Sequence, residues 1–371
     1  MCPILIRNKL HLLVMCVGML LPVTVLACSA PEPVCAWKDR VVGIRTPSMI
    51  ASGITLESGF IVTNMHVAED HASVVIRDSK GSIFKAQPMA HDMPADLAIL
   101  RPEGLTSLVD ATVFVGIDQP SELYVVGFDQ GRNGPRVYRA GNFAHYPDTK
   151  VNLQARIHTN SKALPGNSGG AVVDADGNLI GILASGDGKI SEVIPAVHIS
   201  EVGRRTDVQH ADAFAARGRA IRVCADTLYF AGDIQRNPPP PLVDKIERNC
   251  TASGNKQLFD QAGQLFGKWW MFDRSEQFLK LGESLDPNSP NTLMSLAVTY
   301  HLDRQAEKER PILERYLALD PSNAQALRLG IQVAGMLQDR EFADYVLGLM
   351  KQHNPASVSM AQSFIDQAFG D

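Results

Sequence analysis

Three turns, Leu285-Asp286-Pro287, Leu319-Asp320-Pro321 and Asn354-Pro355, set their prolines 34 residues apart in the last third of the chain. A fixed period of that length is a strong constraint, because each unit is one supersecondary element too small to bury its own apolar face. The units therefore have to stack on one another. Residues 255–370 carry helical apolar spacing to match. First-helix positions fall on Phe259, Ala262, Gly263 and Phe266, then Leu293, Leu296, Ala297 and Tyr300, then Leu327, Gly330, Ile331 and Ala334. Second-helix positions are Ser275 and Leu279, then Glu309 and Leu313, then Ala343 and Leu347. Glu309 stands where the residues one period to either side, Ser275 and Ala343, are small, and it weakens the close packing of the middle unit. Residues 357–369 are amphipathic and suited to capping the stack, and three units are about the minimum for stability.

Nothing before residue 205 has this pattern. Short β-rich runs at 40–44, 52–56, 59–63, 73–76, 83–86 and 97–100 alternate with turn residues. A second set follows at 111–115, 123–126, 137–142, 152–157, 170–173 and 179–184, with 192–194 closing. That spacing argues for two small all-β barrels. Residues 205–254 read as a proline-rich connector whose core, Asn237-Pro238-Pro239-Pro240-Pro241, is stiff and extended. Periodicity does not decide between a helix and a helix plus strand at 211–231. The 371 residues have room for two domains.

The turn Leu164-Pro165-Gly166-Asn167-Ser168-Gly169-Gly170 holds one serine among residues with little or no side chain. Its glycines permit a tight turn and a close substrate backbone. Upstream, Val62-Thr63-Asn64-Met65-His66-Val67 ends one apolar run, and Ala95-Asp96-Leu97-Ala98-Ile99-Leu100 opens another. The order His66, Asp96, Ser168 is one of the three chain orders in which a Ser-His-Asp triad occurs. From these motifs, with Ser58-Gly59-Phe60-Ile61 before the histidine run, residues 36–204 resemble a trypsin-like serine endopeptidase of the HtrA-like branch.

The resemblance implies two antiparallel six-stranded β-barrels with the triad completed at their seam. Ser168 then attacks a peptide carbonyl, His66 takes and returns its proton, and Asp96 orients the imidazole. The backbone N–H groups of Gly166 and Ser168 form the oxyanion hole. Asp92 is the competing acid, but Asp96 directly precedes the strand-like run. The specificity pocket ends near Lys162 or Ala163, with no acidic residue where cleavage after Arg or Lys needs one. An HtrA-like chain usually continues into a PDZ domain, yet no β-rich segment follows here. The 34-residue period is instead that of tetratricopeptide repeats, so the fold expected is β then α: two barrels followed by an α-solenoid.

The first 27 residues read as an export signal, with Arg7 and Lys9 before an apolar run too short to cross a membrane comfortably. Cleavage after Ala27 or Ala30 leaves a periplasmic or secreted protein. Alternatively Val25-Leu26-Ala27-Cys28 is a lipobox and Cys28 carries lipid, the one case in which a membrane is involved. Cys28, Cys35, Cys224 and Cys250 remain after export, and in an oxidising compartment they suggest disulfides, since none has Cys-x-x-Cys spacing. Cys224 and Cys250 flank the proline core and are expected to pair, with Cys35 as the rival partner. The net charge of −5, with acids and bases interspersed, gives no footprint for nucleic acid. No cofactor is implied, and His66 and His71 with Glu69 and Asp70 lack a zinc-ligand spacing.

The function expected is an exported serine endopeptidase acting on protein or peptide, with the repeats recruiting a substrate or protein partner. The rival is an interaction scaffold or chaperone-like protein with an inactive protease domain. If the repeats only choose partners, removing residues 255–371 spares cleavage of a small peptide. If they stabilise the barrels, it does not.

Overall fold

The computed structural model describes residues 28–106, 119–129, 133–148, 151–186 and 188–370. The export signal at 1–27 and the strand expected at 111–115 therefore lie outside the described residues.

Six strands close into a barrel in the order β1-β2-β3-β6-β5-β4. They are β1 (Val41–Arg45), β2 (Ile50–Thr55), β3 (Ile61–Thr63), β4 (Val74–Arg77), β5 (Ile83–Met89) and β6 (Ala98–Pro102). A one-turn helix, α2 (Met65–Ala68), follows β3, and another, α1 (Glu32–Ala36), precedes the barrel. The second β unit differs from the expected second closed six-stranded barrel. Among the described residues it is a seven-stranded sheet, β8-β7-β11-β12-β13-β10-β9, whose edges β8 and β9 do not pair. Its strands are β7 (Tyr124–Gly127), β8 (Arg136–Val137), β9 (Ala144–His145), β10 (Ile157–Thr159), β11 (Ala171–Val173), β12 (Leu179–Gly186) and β13 (Ser191–Pro195). The two-residue edge strands β8 and β9 are too short to carry the sheet round to closure.

Helices follow: α3 (Val197–Arg204), α4 (Ala211–Ala231), α5 (Pro240–Ser253), α6 (Lys256–Lys268), α7 (Phe272–Leu285), α8 (Pro290–Leu302), α9 (Ala306–Leu319), α10 (Ala324–Leu337), α11 (Arg340–His353) and α12 (Val358–Phe369). In the connector at 205–254, the open choice at 211–231 is resolved as a single helix, α4, and the extended core expected at 237–241 gives way to α5 from Pro240 onward. The proline run misleads because its last residues, Pro240 and Pro241, open α5 at the two positions where a missing N–H costs nothing. The Cys224–Cys250 disulfide ties the two helices together. A second disulfide joins Cys28 to Cys35.

From α6 onward each helix packs on the next, and α12 lies on α10 and α11. Every first- and second-helix position predicted from the period is buried. Glu309 is wholly buried too, and burial pushes its carboxyl up to about 8. Its partner is His301, whose Nδ1 lies 3.1 Å away and whose own pKa burial lowers. A neutral carboxyl donating to a neutral ring meets both trends, so a residue that should loosen the array sits there without a bare charge.

The apolar core does not stop where the barrel does. Val42, Ile44, Ile61, Met65 and Ala68 of the first barrel share one cluster with Phe214, Ile221 and Leu228 of α4 and Val243 and Ile246 of α5. The same cluster reaches Phe259, Phe266 and Phe278 of α6 and α7. The helices are thus anchored to the barrel by buried side chains.

Candidate active site

Antiparallel pairing of β3 with β6 sets Thr63 opposite Ala98, so the chain leaving β3 meets the chain entering β6 at one end of the barrel. His66 on α2 and Asp96 before β6 meet there. His66 Nδ1 is 2.7 Å from Asp96 Oδ2, and Asp96 Oδ1 accepts the His66 backbone N–H at 2.9 Å. The Asn64 amide donates to the Asp96 carbonyl at 3.1 Å, fixing the acid's backbone as well. A carboxylate at Nδ1 selects the tautomer that leaves the Nε2 lone pair free. Burial opposes ionisation of Asp96, but the His66 ring and then the Arg156 guanidinium outweigh it and hold the carboxyl below its usual range. Asp92, the competing acid, is taken by Arg205, with Nε 2.7 Å from its Oδ1. His71 is paired with Glu69 at 3.0 Å.

Ser168 comes from the second sheet, in the turn before β11. Asn167 braces that turn: its Oδ1 accepts the Leu164 N–H at 2.7 Å and its Nδ2 donates to the Phe128 carbonyl at 2.8 Å. The Asn167 N–H is spent on Leu164, whereas those of Gly166 and Ser168 have no acceptor among the described residues. Two free donors flanking an engaged one, beside a serine hydroxyl, suit a developing oxyanion. Gly166 has φ +101°, in the region that favours glycine. The Ser168 hydroxyl itself donates to the Ala184 carbonyl at 3.1 Å. Of the three sequence candidates, His66 and Asp96 are thus directly bonded, while Ser168 is turned toward β12.

Sequence reasoning missed the residues that hold the two halves together. Ser52, on β2, donates its N–H to the Ser168 carbonyl and its hydroxyl to the Gly166 carbonyl, both at 2.8 Å. It also accepts the Phe128 N–H at 2.8 Å. Gly169 passes so close that an added Cβ would lie 2.0 Å from the Ser52 carbonyl. The one available signal was a serine set among Ile50, Ala51, Gly53 and Ile54.

Helix α4 backs the histidine and the aspartate. Arg217 donates to the carbonyls of Met93 and Pro94, just before Asp96. Arg222 grips Asp70 with two bonds, at 2.7 and 2.9 Å. Between them Gly218 meets α2 so tightly that a Cβ would lie 2.2 Å from the Glu69 carbonyl. Alanine in a helix usually gains about 0.5–1 kcal/mol over glycine, but an overpacked contact costs about 1–3. Gly218→Ala is therefore expected to lower the melting temperature by several degrees, as read by calorimetry. A more stable variant would show that α4 does not press on α2.

At the expected pocket floor Lys162 is exposed, while Ala163 is half-buried against the cluster of Val172, Leu183 and Val193. An acid does lie close by. Glu192 sits opposite Ser185 in the β12–β13 pairing, but Arg156 and Lys256 occupy its carboxylate.

Residues 51–182 match the family model described as the trypsin-like peptidase domain. Among curated proteins, the periplasmic serine endoprotease DegP of Salmonella typhimurium is 30% identical over 151 residues, covering 36% of this chain and 29% of that protein. The serine endoprotease DegS of Haemophilus influenzae is 26% identical over 156 residues, covering 39% of this chain and 44% of that one. The chain thus spans less than half the length of these relatives. Among solved structures, an HtrA-type protease AlgW with tripeptide aligns with 26% identity and a TM-score of 0.37, covering 46% of this chain and 61% of that one.

Proposed function

We propose that the chain is a serine endopeptidase that hydrolyses peptide bonds through Ser168, His66 and Asp96. The observation that carries this reading is the 2.7 Å His66–Asp96 contact, together with a serine turn that has two unspent N–H groups and is tied through Ser52 to β2, the strand beside β3. For reaction the Ser168 hydroxyl turns from the Ala184 carbonyl to His66 Nε2, which takes its proton as Oγ attacks the scissile carbonyl. The N–H groups of Gly166 and Ser168 receive the oxyanion, and His66 returns the proton to the leaving amine. Asp96 keeps the imidazole oriented and balances its charge. The match to the trypsin-like peptidase domain and the serine endoprotease relatives support this reading.

Export to the periplasm fits the two disulfides and the periplasmic relative. A Cys28 sulfur bonded to Cys35 is not available to a lipid, which favours a soluble product over a lipid-anchored one. The helices after α5 are read as tetratricopeptide-like repeats that carry a protein substrate or partner, on the strength of the 34-residue period and its buried positions. The test is incubation of the purified exported chain with fluorescently labelled casein, with and without a chelator. Internal cleavage at a rate the chelator leaves unchanged is expected; intact casein at all enzyme concentrations would contradict the assignment.

A further inference from the structure

Behind Asp96 lies a buried chain of charges that leads out of the β region into the helices. Arg156 is 3% exposed; its Nη2 stands 3.6 Å from Asp96 Oδ2, and its Nη1 donates to Glu192 Oε2 at 2.8 Å and to Ser185 at 3.0 Å. The other oxygen of Glu192 is bonded to the ammonium of Lys256, the first residue of α6. Lys256 is 1% exposed and also reaches Asp260 Oδ2 at 2.8 Å and Ser289 Oγ at 2.6 Å. Asp286, in the first of the three periodic turns, accepts from the Arg156 backbone N–H at 3.3 Å and is 2.8 Å from His158 Nε2.

A buried charge is costly unless paired, and removing one partner of such a pair leaves the other uncompensated. Here the pairing alternates: Asp96, Arg156, Glu192, Lys256, Asp260. Burial resists the charge on Glu192, yet Lys256 and Arg156 drive its carboxyl well below the usual range. Burial likewise opposes the charge on Lys256, and Asp260 and Glu192 more than restore it. The share of Arg156's charge left for Asp96 depends on how fully Glu192 is neutralised from its other side. The residue that neutralises it belongs to the helical region.

From this we infer that Lys256, acting through Glu192, is a positioning residue for the catalytic centre. It sets how strongly Arg156 holds Asp96, so α6 is a working part of the peptidase rather than an appended module. The inference rests on His66, Asp96 and Ser168 being the reacting groups. Besides Asp96 and Arg156, the charged and titratable groups on the elements packed here include Glu69, Asp70 and His71 beside His66, and Arg217, Arg219, Arg222 and Asp226 on α4. None of these is altered in the variants below.

The test is the rate of Ser168 labelling by a fluorophosphonate in the full-length chain, measured from pH 5 to 9. This probe needs no knowledge of the natural substrate. Loss of a cation near the Asp96–His66 pair favours the imidazolium, and gain of one disfavours it. Arg156→Met and Lys256→Met, which leaves Glu192 free to pull on Arg156, are expected to move the acid limb of the rate profile up by about half a pH unit. Glu192→Gln, nearly isosteric, releases Arg156 toward Asp96 and is expected to move the limb down by a similar amount. Arg156→Lys keeps the charge and restores the limb.

A structural defect would lower the rate without giving shifts of opposite sign. If Arg156→Met or Lys256→Met does not fold, Glu192→Gln alone decides: an unmoved or raised limb overturns the inference. Failure of the triad reading looks different, because Ser168→Ala would then label as fast as the unaltered chain.

Discussion

Replacing Ser168 by alanine is expected to lower peptide hydrolysis by about 10⁵- to 10⁶-fold while leaving the melting temperature within a degree or two. Removing the nucleophile of a serine–histidine pair has consequences of that order, because the partners act as a unit. His66→Ala should cost nearly as much. The fold should tolerate the serine change: the hydroxyl makes one bond, to the Ala184 carbonyl, and the residue's backbone carbonyl still receives the Ser52 N–H. Circular dichroism and an initial-rate assay on labelled casein check the two halves of the statement. Equal rates for Ser168→Ala and the unaltered chain would remove Ser168 from the mechanism.

Deletion of residues 255–371 is expected to abolish activity on a small peptide as well as on proteins, with a cut of at least about 100-fold. A module that only recruits would leave peptide hydrolysis intact. Here, however, the deletion removes Lys256 and Ser289 from one side of Glu192 and Asp286 from beside Arg156, opening to water the buried network on which Asp96 rests. It also strips Phe259, Phe266 and Phe278 from a core they share with the barrel's Ile44, Ile61 and Met65. Each large side chain so uncovered costs about 1.5–3 kcal/mol, and a typical domain has only about 5–15 to lose. Hydrolysis of one fluorogenic peptide by both forms at equal molar concentration reads the outcome. Undiminished peptide hydrolysis by the truncated chain would restore the view that the helices merely choose partners.

The triad candidates were legible because a nucleophile turn and the two runs around His66 and Asp96 are local in sequence. The pairing of those runs, β3 with β6, is supplied by the structure. Which residues of the C-terminal helices are buried was legible for the same reason, since a 34-residue period is written along the chain. What escaped was long-range. Lys256 looks like any solvated lysine at the start of an amphipathic helix; only its contact with Glu192, 64 residues earlier, makes it a buried cation. Arg156 reads as a polar residue in a strand, Gly218 as a weak point in a helix, and the Pro238–Pro241 run as an extended spacer. In each case the deciding contact lies on another element. Polar residues that serve a buried network give no periodic signal, and a proline run looks the same whether it opens a helix or not.

That Ser168 is a nucleophile made reactive by its neighbours is checked by treating the purified full-length chain with a fluorophosphonate and mapping the adduct by peptide mass spectrometry. A single adduct on Ser168, absent after denaturation before labelling and strongly slowed in His66→Ala, is the expected result. No adduct on the folded chain, or one on a different serine, would contradict it.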